Sequence, residues 1–345
     1  DETEFHGYAV FEKGTHLKKF SYKPRPLSPD DVEIKIAYCG ICHSDVHQMT
    51  SGWGESIYPL LPGHEIVGRV TQKGANVTKF AIGDKVGLGP HCWGCLQKDC
   101  DACSQGKEPY CNEKRETYND RYPDGTPTRG GYADHVRAHS HFVVRIPEGL
   151  DDAAAAPLLC AGITVYSPLK RWKVKPGDKV GVVGIGGLGH LGVMFAKALG
   201  AHVVALSSTE NKKKEAEKLG ADEYWLTSDA EALKKKSKSL DFILATTSGN
   251  ADWDSIIRLL KIDATICLVG LPEEDLKIPA FALCAGRRSF ASSAVGGPGE
   301  IQEMLEFAAK HSPKIEAWVK VFPIDQVNAA VQELVEGKPR FRNVL

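Results

Sequence analysis

Cysteine is concentrated in one short stretch of this chain. Five of the ten cysteines lie between Cys92 and Cys111 of a 345-residue sequence. In a chain of this length, such clustering is more typical of a metal site in a reducing compartment than of the disulfides of a small secreted domain. Four thiolates around one Zn²⁺ form a closed tetrahedral site, which stabilises a loop and leaves no position for a reactant.

A second set of metal-ligating residue types comes from three separate segments. Cys42 lies in the run Cys-Gly-Ile-Cys-His-Ser-Asp, His64 is followed directly by Glu65, and Cys160 occurs much later in the chain. Two thiolates and one imidazole form the ligand set of a catalytic zinc, whose fourth position stays open to water or substrate. We therefore predict that these three residues bind a catalytic metal ion.

A glycine-rich run predicts a dinucleotide site. Residues 184–189 read Gly-Ile-Gly-Gly-Leu-Gly, after a predicted buried strand at Lys179–Val183 and before a predicted helix. Glycines at this spacing allow a tight turn and let backbone N–H groups approach a pyrophosphate, which the helix N-terminus also attracts. The residues expected at the pyrophosphate are Gly184, Gly186, Gly187, Leu188 and Gly189.

The tip of the following strand indicates which dinucleotide is bound. NAD sites place an acidic residue about 20 positions after the glycine motif. This chain has Ser207 and Ser208 there, with Lys212 nearby, whereas Glu210 lies past the tip. Hydroxyls and a cation suit the 2′-phosphate of NADP(H), so NADP(H) is predicted rather than NAD(H).

Two parts of the chain differ in composition and in predicted secondary structure. Residues 1–150 combine Gly, Pro, Cys and His with short β-type runs, which predicts an irregular, mostly β domain. Strands and helices then alternate to about residue 295, which predicts a doubly wound parallel sheet. Two amphipathic helices are predicted after this, at Ile301–Lys310 and Ile324–Glu336. We expect this final stretch to return to the first domain. The predicted domains of this α/β chain are 1–160 with 296–345, and 161–295.

Charge and hydrophobicity argue against several partners. Lys and Arg number 43 and Asp and Glu 44, which gives a net charge of −1. We expect no nucleic acid as a partner, because the chain lacks a basic footprint. We also expect no membrane span, because no run of 18 apolar residues occurs. The acidic opening does not look like a secretory signal, so a cytoplasmic location is predicted.

Several motifs together resemble one family of enzymes. The spacing Gly-His-Glu-x2-Gly-x5-Gly-x2-Val over Gly63–Val77 looks like the zinc alcohol dehydrogenase signature. Residues Pro157–Leu169, Gly130–Tyr132, His141–Val144 and Gly337–Arg342 narrow the resemblance to the cinnamyl alcohol dehydrogenase branch of the medium-chain dehydrogenase/reductases. The resemblance spans essentially the whole chain. It implies a GroES-like, mostly β catalytic domain and a doubly wound Rossmann domain.

The resemblance implies roles for residues near the predicted catalytic metal. Glu65 would be a carboxylate able to approach the ion, and Asp45 would accept the second ring N–H of His64. Ser44 would pass a proton between the substrate oxygen and the cofactor ribose, and His47 would carry it to solvent. His43 would contact cofactor phosphate or simply pack.

The cysteine-rich loop departs from the family pattern, which is C-x2-C-x2-C-x7-C. This chain keeps the last two gaps, but its first gap is x4. Counting forward from Val86 places Cys95 at the first ligand position, with Cys92 as the alternative. The expected structural zinc ligands are Cys95, Cys100, Cys103 and Cys111.

Further cofactor contacts are expected in the second domain and at the C-terminus. Val269 and Gly270 end a predicted strand, where doubly wound folds place ligands. By resemblance, Thr164 would reach the nicotinamide end, and Ser293, Ala294 and Val295 would belong to a strand that contacts the nicotinamide. Arg342 would bind the pyrophosphate, with Arg340 as the alternative.

The implied activity is hydride transfer between NADP(H) and a primary alcohol/aldehyde pair, with two Zn²⁺ per chain. Glu116 and Ala294 occupy positions where plant lignin enzymes carry bulky or aromatic side chains, so a broad-range aldehyde reductase is favoured. Trp53, Leu60 and Trp93 are candidates either for apolar pocket walls or for the structural core. Two alternatives remain, namely a polyol dehydrogenase, which usually lacks a complete second zinc cluster, and a non-catalytic cofactor-binding relative. The resemblance also implies a homodimer formed through edge strands near Ala280–Leu283 and Ser289–Ala294.

Overall fold

The computed structural model describes residues 3–249 and 251–345. The chain forms two compact units. The first contains the chain up to Ile163 together with residues 296–312 and 316–345, and the second contains residues 164–295 and 313–315. The first boundary follows residue 163 rather than the predicted residue 160, because the helical turn that carries Cys160 continues to Gly162 and belongs to the first unit.

A seven-stranded sheet forms the framework of the first unit. Its longest strand pairs with three others, and the register that joins Cys39 to Ile66 brings the ends of two strands together beside Cys42 and His64. In spatial order, six strands are Val319–Val321, Arg342–Val344, Asp31–Ile41, Ile66–Lys73, Lys85–Leu88 and Val143–Arg145, while His135–His139 pairs with the start of Asp31–Ile41. The core against this sheet contains Val32, Ile34 and Ile66, which are fully buried.

Shorter elements complete the first unit. Two small antiparallel sheets are Phe5–Ala9 with Lys18–Tyr22, and His91–Trp93 with Arg115–Glu116. The α-helices are His43–Met49, Asp152–Pro157, Pro298–Lys310 and Val327–Val335, and single 3₁₀ turns occupy Cys103–Gln105, Glu108–Tyr110, Ser140–Phe142 and Ile324–Gln326. The predicted helix at 324–336 therefore begins as a 3₁₀ turn and becomes α-helical at Val327.

The second unit is a six-stranded parallel sheet with helical connections. Its spatial order is Glu223–Leu226, His202–Ser207, Lys179–Val183, Leu240–Ala245, Leu260–Leu268 and Ser289–Ser292. The chain order reverses between Lys179–Val183 and Leu240–Ala245, which is the topological switch point of a Rossmann fold. The helices are Ile163–Arg171, Gly189–Ala198, Lys213–Leu219, Ala230–Lys235, Trp253–Arg258 and Ala280–Cys284. The prediction of a doubly wound parallel sheet is confirmed.

Two predicted edge-strand segments have a different structure. Ala280–Cys284 is a helix that begins after Pro279, and the Ala282 carbonyl accepts a hydrogen bond from the buried Arg288 guanidinium instead of extending a sheet. The last strand ends at Ser292, so Ser293–Val295 do not continue it, and Val295 has a left-handed φ of 43° that strand geometry excludes.

One helical stretch has the length and composition of a membrane span, although no run of 18 apolar residues occurs. Asp152–Arg171 is 20 residues long and apolar enough by composition, and 94% of its most apolar window is buried inside the protein. Its apolar residues are interrupted by Pro157, Gly162, Thr164, Ser167 and Pro168, so they form no continuous run. Its burial is that of a core helix.

Candidate active site

The structure brings the predicted catalytic metal ligands to one point in the first unit. One ligand atom from each of Cys42, His64, Glu65 and Cys160 lies within 4.8 Å of the others. Cys42 follows the strand Asp31–Ile41 and caps the helix His43–Met49. His64 and Glu65 directly precede the strand that pairs with Asp31–Ile41, so sheet register alone brings these three residues together.

Cys160 reaches this point from an irregular helical turn. Leu158–Gly162 is a π-helical turn between two α-helical segments. Such wide turns are rare, and they are frequently found at functional sites. Cys160 is 7% exposed.

The donor set fits a divalent cation that binds thiolates. Donation from the Cys160 thiol holds the pKa of the Cys42 thiol well below its ordinary value. The same contact raises the pKa of Cys160, with burial adding to the shift. One thiolate therefore forms readily, whereas a second in the same buried space needs a positive charge beside it, which a zinc ion supplies.

Glu65 forms a fully buried ion pair with Arg342. An Arg342 guanidinium N–H donates to Glu65 Oε1. The Glu65 side chain is 0% exposed, and the Arg342 side chain is 5% exposed. Burial raises the pKa of Glu65 to about 8, although Arg342 opposes the shift. Strand pairing of Asn343 with Ile41 puts Arg342 beside the metal ligands. The predicted contact of Arg342 with a pyrophosphate stays a prediction, and the alternative Arg340 is exposed.

The residues of the predicted proton relay share the helix His43–Met49. Ser44 Oγ lies 3.6 Å from Cys42 Sγ, which places a hydroxyl beside the predicted metal. His47 is half-buried one turn further on, and its ring stacks on Trp53 with centroids 4.5 Å apart. His43 is exposed at the start of the helix.

The second cysteine cluster is also assembled. Cys95, Cys100, Cys103 and Cys111 meet, with Sγ–Sγ distances of 3.7 Å from Cys95 to Cys103 and 3.5 Å from Cys95 to Cys111. Although burial opposes the shift, the N–H groups of Cys95 and Glu113 help to lower the pKa of Cys111 to about 7. Burial raises the pKa of the neighbouring Cys103 thiol, so its deprotonation needs a positive charge nearby. Four converging cysteine sulfurs fit a closed zinc site, where the ion would supply that charge.

Cys92 lies outside this cluster. Its buried Sγ faces the carbonyl oxygen of Glu116 at 3.3 Å, and burial raises its pKa to about 12, so it behaves as a small core residue. The x4 gap is accommodated by a turn in which the Cys100 N–H donates to the Gln97 carbonyl. The two extra residues therefore lengthen a surface turn without displacing the ligands.

The glycine-rich turn in the second unit has the geometry expected of a pyrophosphate site. Gly184 has φ of 85°, and a Cβ on Gly189 would lie 1.8 Å from the Gly184 carbonyl oxygen. A Cβ on Gly186 would have no neighbour within 4 Å, so its backbone faces open space. Gly187 and Leu188 lead into the helix Gly189–Ala198. Gly184 thus makes the turn, Gly189 allows close packing, and Gly186 leaves room for a ligand.

A lysine ammonium lies between this turn and the tip of the following strand. Ser207 ends its strand half-buried, and Ser208 and Glu210 are exposed beyond it. The Lys212 ammonium donates to the Ile185 carbonyl at 2.7 Å, which holds the cation against the glycine-rich turn.

Other predicted cofactor residues of the second unit lie at recognisable positions. The Val269 N–H donates to the Ala245 carbonyl at the end of the strands, and Gly270 packs so closely that a Cβ would meet the Thr247 carbonyl at 2.3 Å. Thr164 and Ser293 are buried, whereas Ala294 is exposed. Contacts of these residues with a cofactor stay predictions.

The chain matches two family models and many proteins of known identity. The alcohol dehydrogenase GroES-like domain matches residues 28–148, and the zinc-binding dehydrogenase model matches residues 187–310. An 8-hydroxygeraniol dehydrogenase from Catharanthus roseus is 46% identical, over 98% of this chain and 94% of that protein. The chain belongs to the zinc-binding alcohol dehydrogenases.

Solved structures place this dehydrogenase in the cinnamyl alcohol dehydrogenase branch. A cinnamyl alcohol dehydrogenase from Sorghum bicolor superposes with a TM-score of 0.95 at 40% identity, covering 99% of this chain and 97% of that one. An enzyme of the same branch from Helicobacter pylori, solved with NADP(H), has a TM-score of 0.91 at 37% identity, with the same coverage. The predicted family, fold and reaction class are confirmed.

The relatives also include enzymes named for polyols. A mannitol dehydrogenase from Petroselinum crispum is 47% identical, over 95% of this dehydrogenase and 97% of that protein. A polyol dehydrogenase therefore remains the alternative function, although the complete second cysteine cluster favours an aldehyde reductase.

Sequence reasoning missed two kinds of supporting residue. Thr246 Oγ1 contacts the carbonyl oxygens of Val183 and Gly184, at 2.9 and 2.8 Å, and so holds the glycine-rich turn. Its position directly after a buried strand, at the ligand-binding edge of the sheet, was the available signal. Tyr132 contacts the metal site through Asp45, and no local pattern indicates that contact.

Proposed function

We propose that this dehydrogenase reduces aldehydes to primary alcohols with NADPH as the hydride donor. The observation that carries the proposal is the convergence of Cys42, His64 and Cys160 from distant segments to one buried point. A zinc ion bound there would polarise a carbonyl oxygen as a Lewis acid. The thiolates and the imidazole hold such an ion and leave one position for the substrate.

The chain's own residues would manage the proton. The Ser44 hydroxyl, beside Cys42, donates a proton toward the alkoxide that hydride addition creates. By the family resemblance, His47, about one helical turn further on, would return that proton from solvent to Ser44 through the cofactor ribose. The contact with the Arg342 guanidinium would hold the Glu65 carboxyl group beside the two thiols and the imidazole.

NADP(H) is supported by charge at the strand tip. The Lys212 ammonium against the glycine-rich turn favours a 2′-phosphate, and Ser207 and Ser208 add hydroxyl donors without the repulsion that a carboxylate would cause. The Helicobacter pylori relative was solved with NADP(H).

The substrate class is proposed as broad-range, with aromatic and terpenoid aldehydes foremost. Relatives carry names for 8-hydroxygeraniol and cinnamyl alcohol. Polyols are the second candidate, because Glu116, at the position where an aromatic wall is expected, is a carboxylate within 3.4 Å of His91 and paired with Lys114. A charged group there suits hydroxylated substrates.

An NADPH-oxidation screen tests the proposal. Cinnamaldehyde, a terpenoid aldehyde and straight-chain aldehydes are compared with fructose under identical conditions, and NADH replaces NADPH in a parallel series. We expect aldehyde turnover that exceeds fructose turnover and requires NADPH. Preferential reduction of fructose would show that the protein is a polyol dehydrogenase instead. Absence of turnover by the metal-loaded protein with every substrate would favour a non-catalytic, cofactor-binding protein.

A homodimer and a cytoplasmic location complete the proposal. Ser289–Ser292 is the last strand of its sheet, and Phe281 beside it in the chain is 85% exposed, which suits an interface between copies. Two sites built from cysteine thiols suit a reducing compartment.

A further inference from the structure

Asp45 is the buried centre of a hydrogen-bond network behind the metal ligands. Its side chain is 0% exposed. Oδ1 accepts from the Gly63 N–H at 3.1 Å and lies 3.3 Å from His64 Nδ1. Oδ2 accepts from the Cys42 N–H at 2.8 Å and from the Tyr132 hydroxyl at 3.0 Å. Both oxygens are therefore used, and the longest contact is the one that orients the His64 ring.

Tyr132 enters this network through a backbone that only small residues permit. The N–H groups of Gly130, Gly131 and Tyr132 donate to the carbonyls of Leu61, Gly63 and Pro62, which are the residues just before His64. A Cβ on Gly130 would lie 2.3 Å from the Pro62 carbonyl oxygen, and one on Gly131 would lie 2.7 Å from Cys39 Sγ. The Gly-Gly-Tyr run thus docks against the segment that presents His64.

The Tyr132 side chain is wholly buried and points at one partner. It is 0% exposed, and its ring packs so tightly on Gly63 that a Cβ there would lie 2.6 Å from Cδ1. Because ring and backbone are both immobilised, the hydroxyl has a fixed direction. A fixed donor on Oδ2 restricts rotation of the carboxylate, and with it the direction in which Oδ1 faces His64.

We propose that Tyr132 is a positioning residue for the catalytic metal, acting through Asp45 to orient the His64 ring. The inference rests on the metal site assigned above. With Nδ1 directed at Asp45, Nε2 is the ring atom left for the ion. Outer partners of this kind commonly change metal affinity by 10–100-fold when removed.

The test is Tyr132→Phe, which removes the hydroxyl and keeps the ring. Tyr122→Phe is the matched control, because Tyr122 is also a buried tyrosine of this unit, and its hydroxyl donates to the Arg137 carbonyl at 3.0 Å, away from the metal ligands. Release of zinc to a chromogenic chelator is followed with the purified full chain. Cys160→Ala, expected to keep only the structural zinc, identifies which kinetic phase belongs to which site.

We expect Tyr132→Phe to release the catalytic zinc about tenfold faster than wild type and Tyr122→Phe. The structural zinc should leave at an unchanged rate. Equal rates for the two phenylalanine variants, or loss of both zincs together from Tyr132→Phe, would overturn the inference. A wild type without catalytic zinc would instead overturn the proposed function.

A double-mutant cycle separates positioning from packing. Tyr132→Phe should have little further effect on zinc release in an Asp45→Asn background if it acts through that carboxylate. Independent, multiplying effects of the two substitutions would show that Tyr132 acts by another route, which contradicts the proposal.

Discussion

At the scale of single residues, this dehydrogenase separates thiols that bind metal from thiols that fill the core. Cys160 and Cys92 are both buried, yet Cys160 faces Cys42 and His64, whereas Cys92 faces the Glu116 carbonyl. Local sequence does not distinguish them, because a buried cysteine is chemically either a ligand or a small apolar side chain. Their neighbours decide the role.

Cys160→Ala should lower aldehyde turnover by more than about a hundredfold, since even outer partners of a metal commonly contribute 10–100-fold. The measurement is kcat/KM together with zinc content and NADPH binding by fluorescence. Zinc should fall from two to one per chain while NADPH still binds. Cys92→Ala is the matched control and should keep both zincs. Substantial aldehyde reduction by Cys160→Ala would contradict the assigned ligand role.

Ser207→Asp should weaken NADPH binding by about tenfold or more, because a new carboxylate repels the 2′-phosphate at short range. The measurement is the ratio of kcat/KM for NADPH to that for NADH. Ser207→Asn has nearly the same size without the charge and should leave the ratio close to wild type. If both variants shift the ratio equally, size rather than charge at the strand tip determines the preference.

At the scale of elements, one edge strand of the second unit carries a network of charged side chains centred on Glu223. Glu223 begins the edge strand Glu223–Leu226 and contacts Lys179 Nζ at 2.6 Å, His202 Nε2 at 2.9 Å and Trp225 Nε1 at 2.8 Å. Although burial opposes the shift, these partners lower its pKa from 4.5 to about 2. The ionised carboxylate therefore joins three strands of the second unit at one edge.

Glu223→Gln should destabilise the protein by about 1 kcal/mol near pH 7, a magnitude discounted for solvent screening. Because the pKa is lower in the folded state, the carboxylate stabilises the protein above pH 4.5, and its contribution disappears as the pH falls toward 2. Urea midpoints of wild type and variant should thus converge between pH 4.5 and 2. Glu217→Gln, on an exposed helix position, is the control. A difference that persists unchanged at pH 2.5 would refute the pKa assignment.

At the scale of the whole molecule, two compact units divide the chemistry. The first holds both cysteine-containing sites, and the second holds the glycine-rich turn and the cation at the strand tip. The second unit also ends in an unpaired edge strand, among the residues the structure describes. The unpaired N–H and C=O groups of such an edge strand can pair with a second copy of the chain unless charged side chains prevent it.

Phe281→Glu should shift the dehydrogenase from dimer toward monomer, because it places a charge on an 85% exposed aromatic position in the helix that precedes the edge strand. Sedimentation velocity across a concentration series measures the dissociation constant, which we expect to rise by at least about tenfold. Ile82→Glu, at a 68% exposed position of the first unit, is the control. A wild type that sediments as a monomer would disprove the predicted assembly.

Local runs of the sequence were sufficient to predict several features. The turn at 184–189 depends on glycine conformations and a following helix, so spacing alone predicts it. The second cluster lies within one loop, so spacing predicted its existence, whereas the choice of Cys95 over Cys92 was settled by the structure. The alternation of strands and helices likewise predicted the doubly wound sheet, because a parallel sheet requires crossover connections.

Contacts between distant segments were decided only in the tertiary structure. Arg342 meets Glu65, and Tyr132 meets Asp45, because strand register and close glycine packing join segments whose pairing no local pattern encodes. Residue type and spacing thus determined which chemistry was available, whereas long-range hydrogen bonding and packing determined which side chains perform it together.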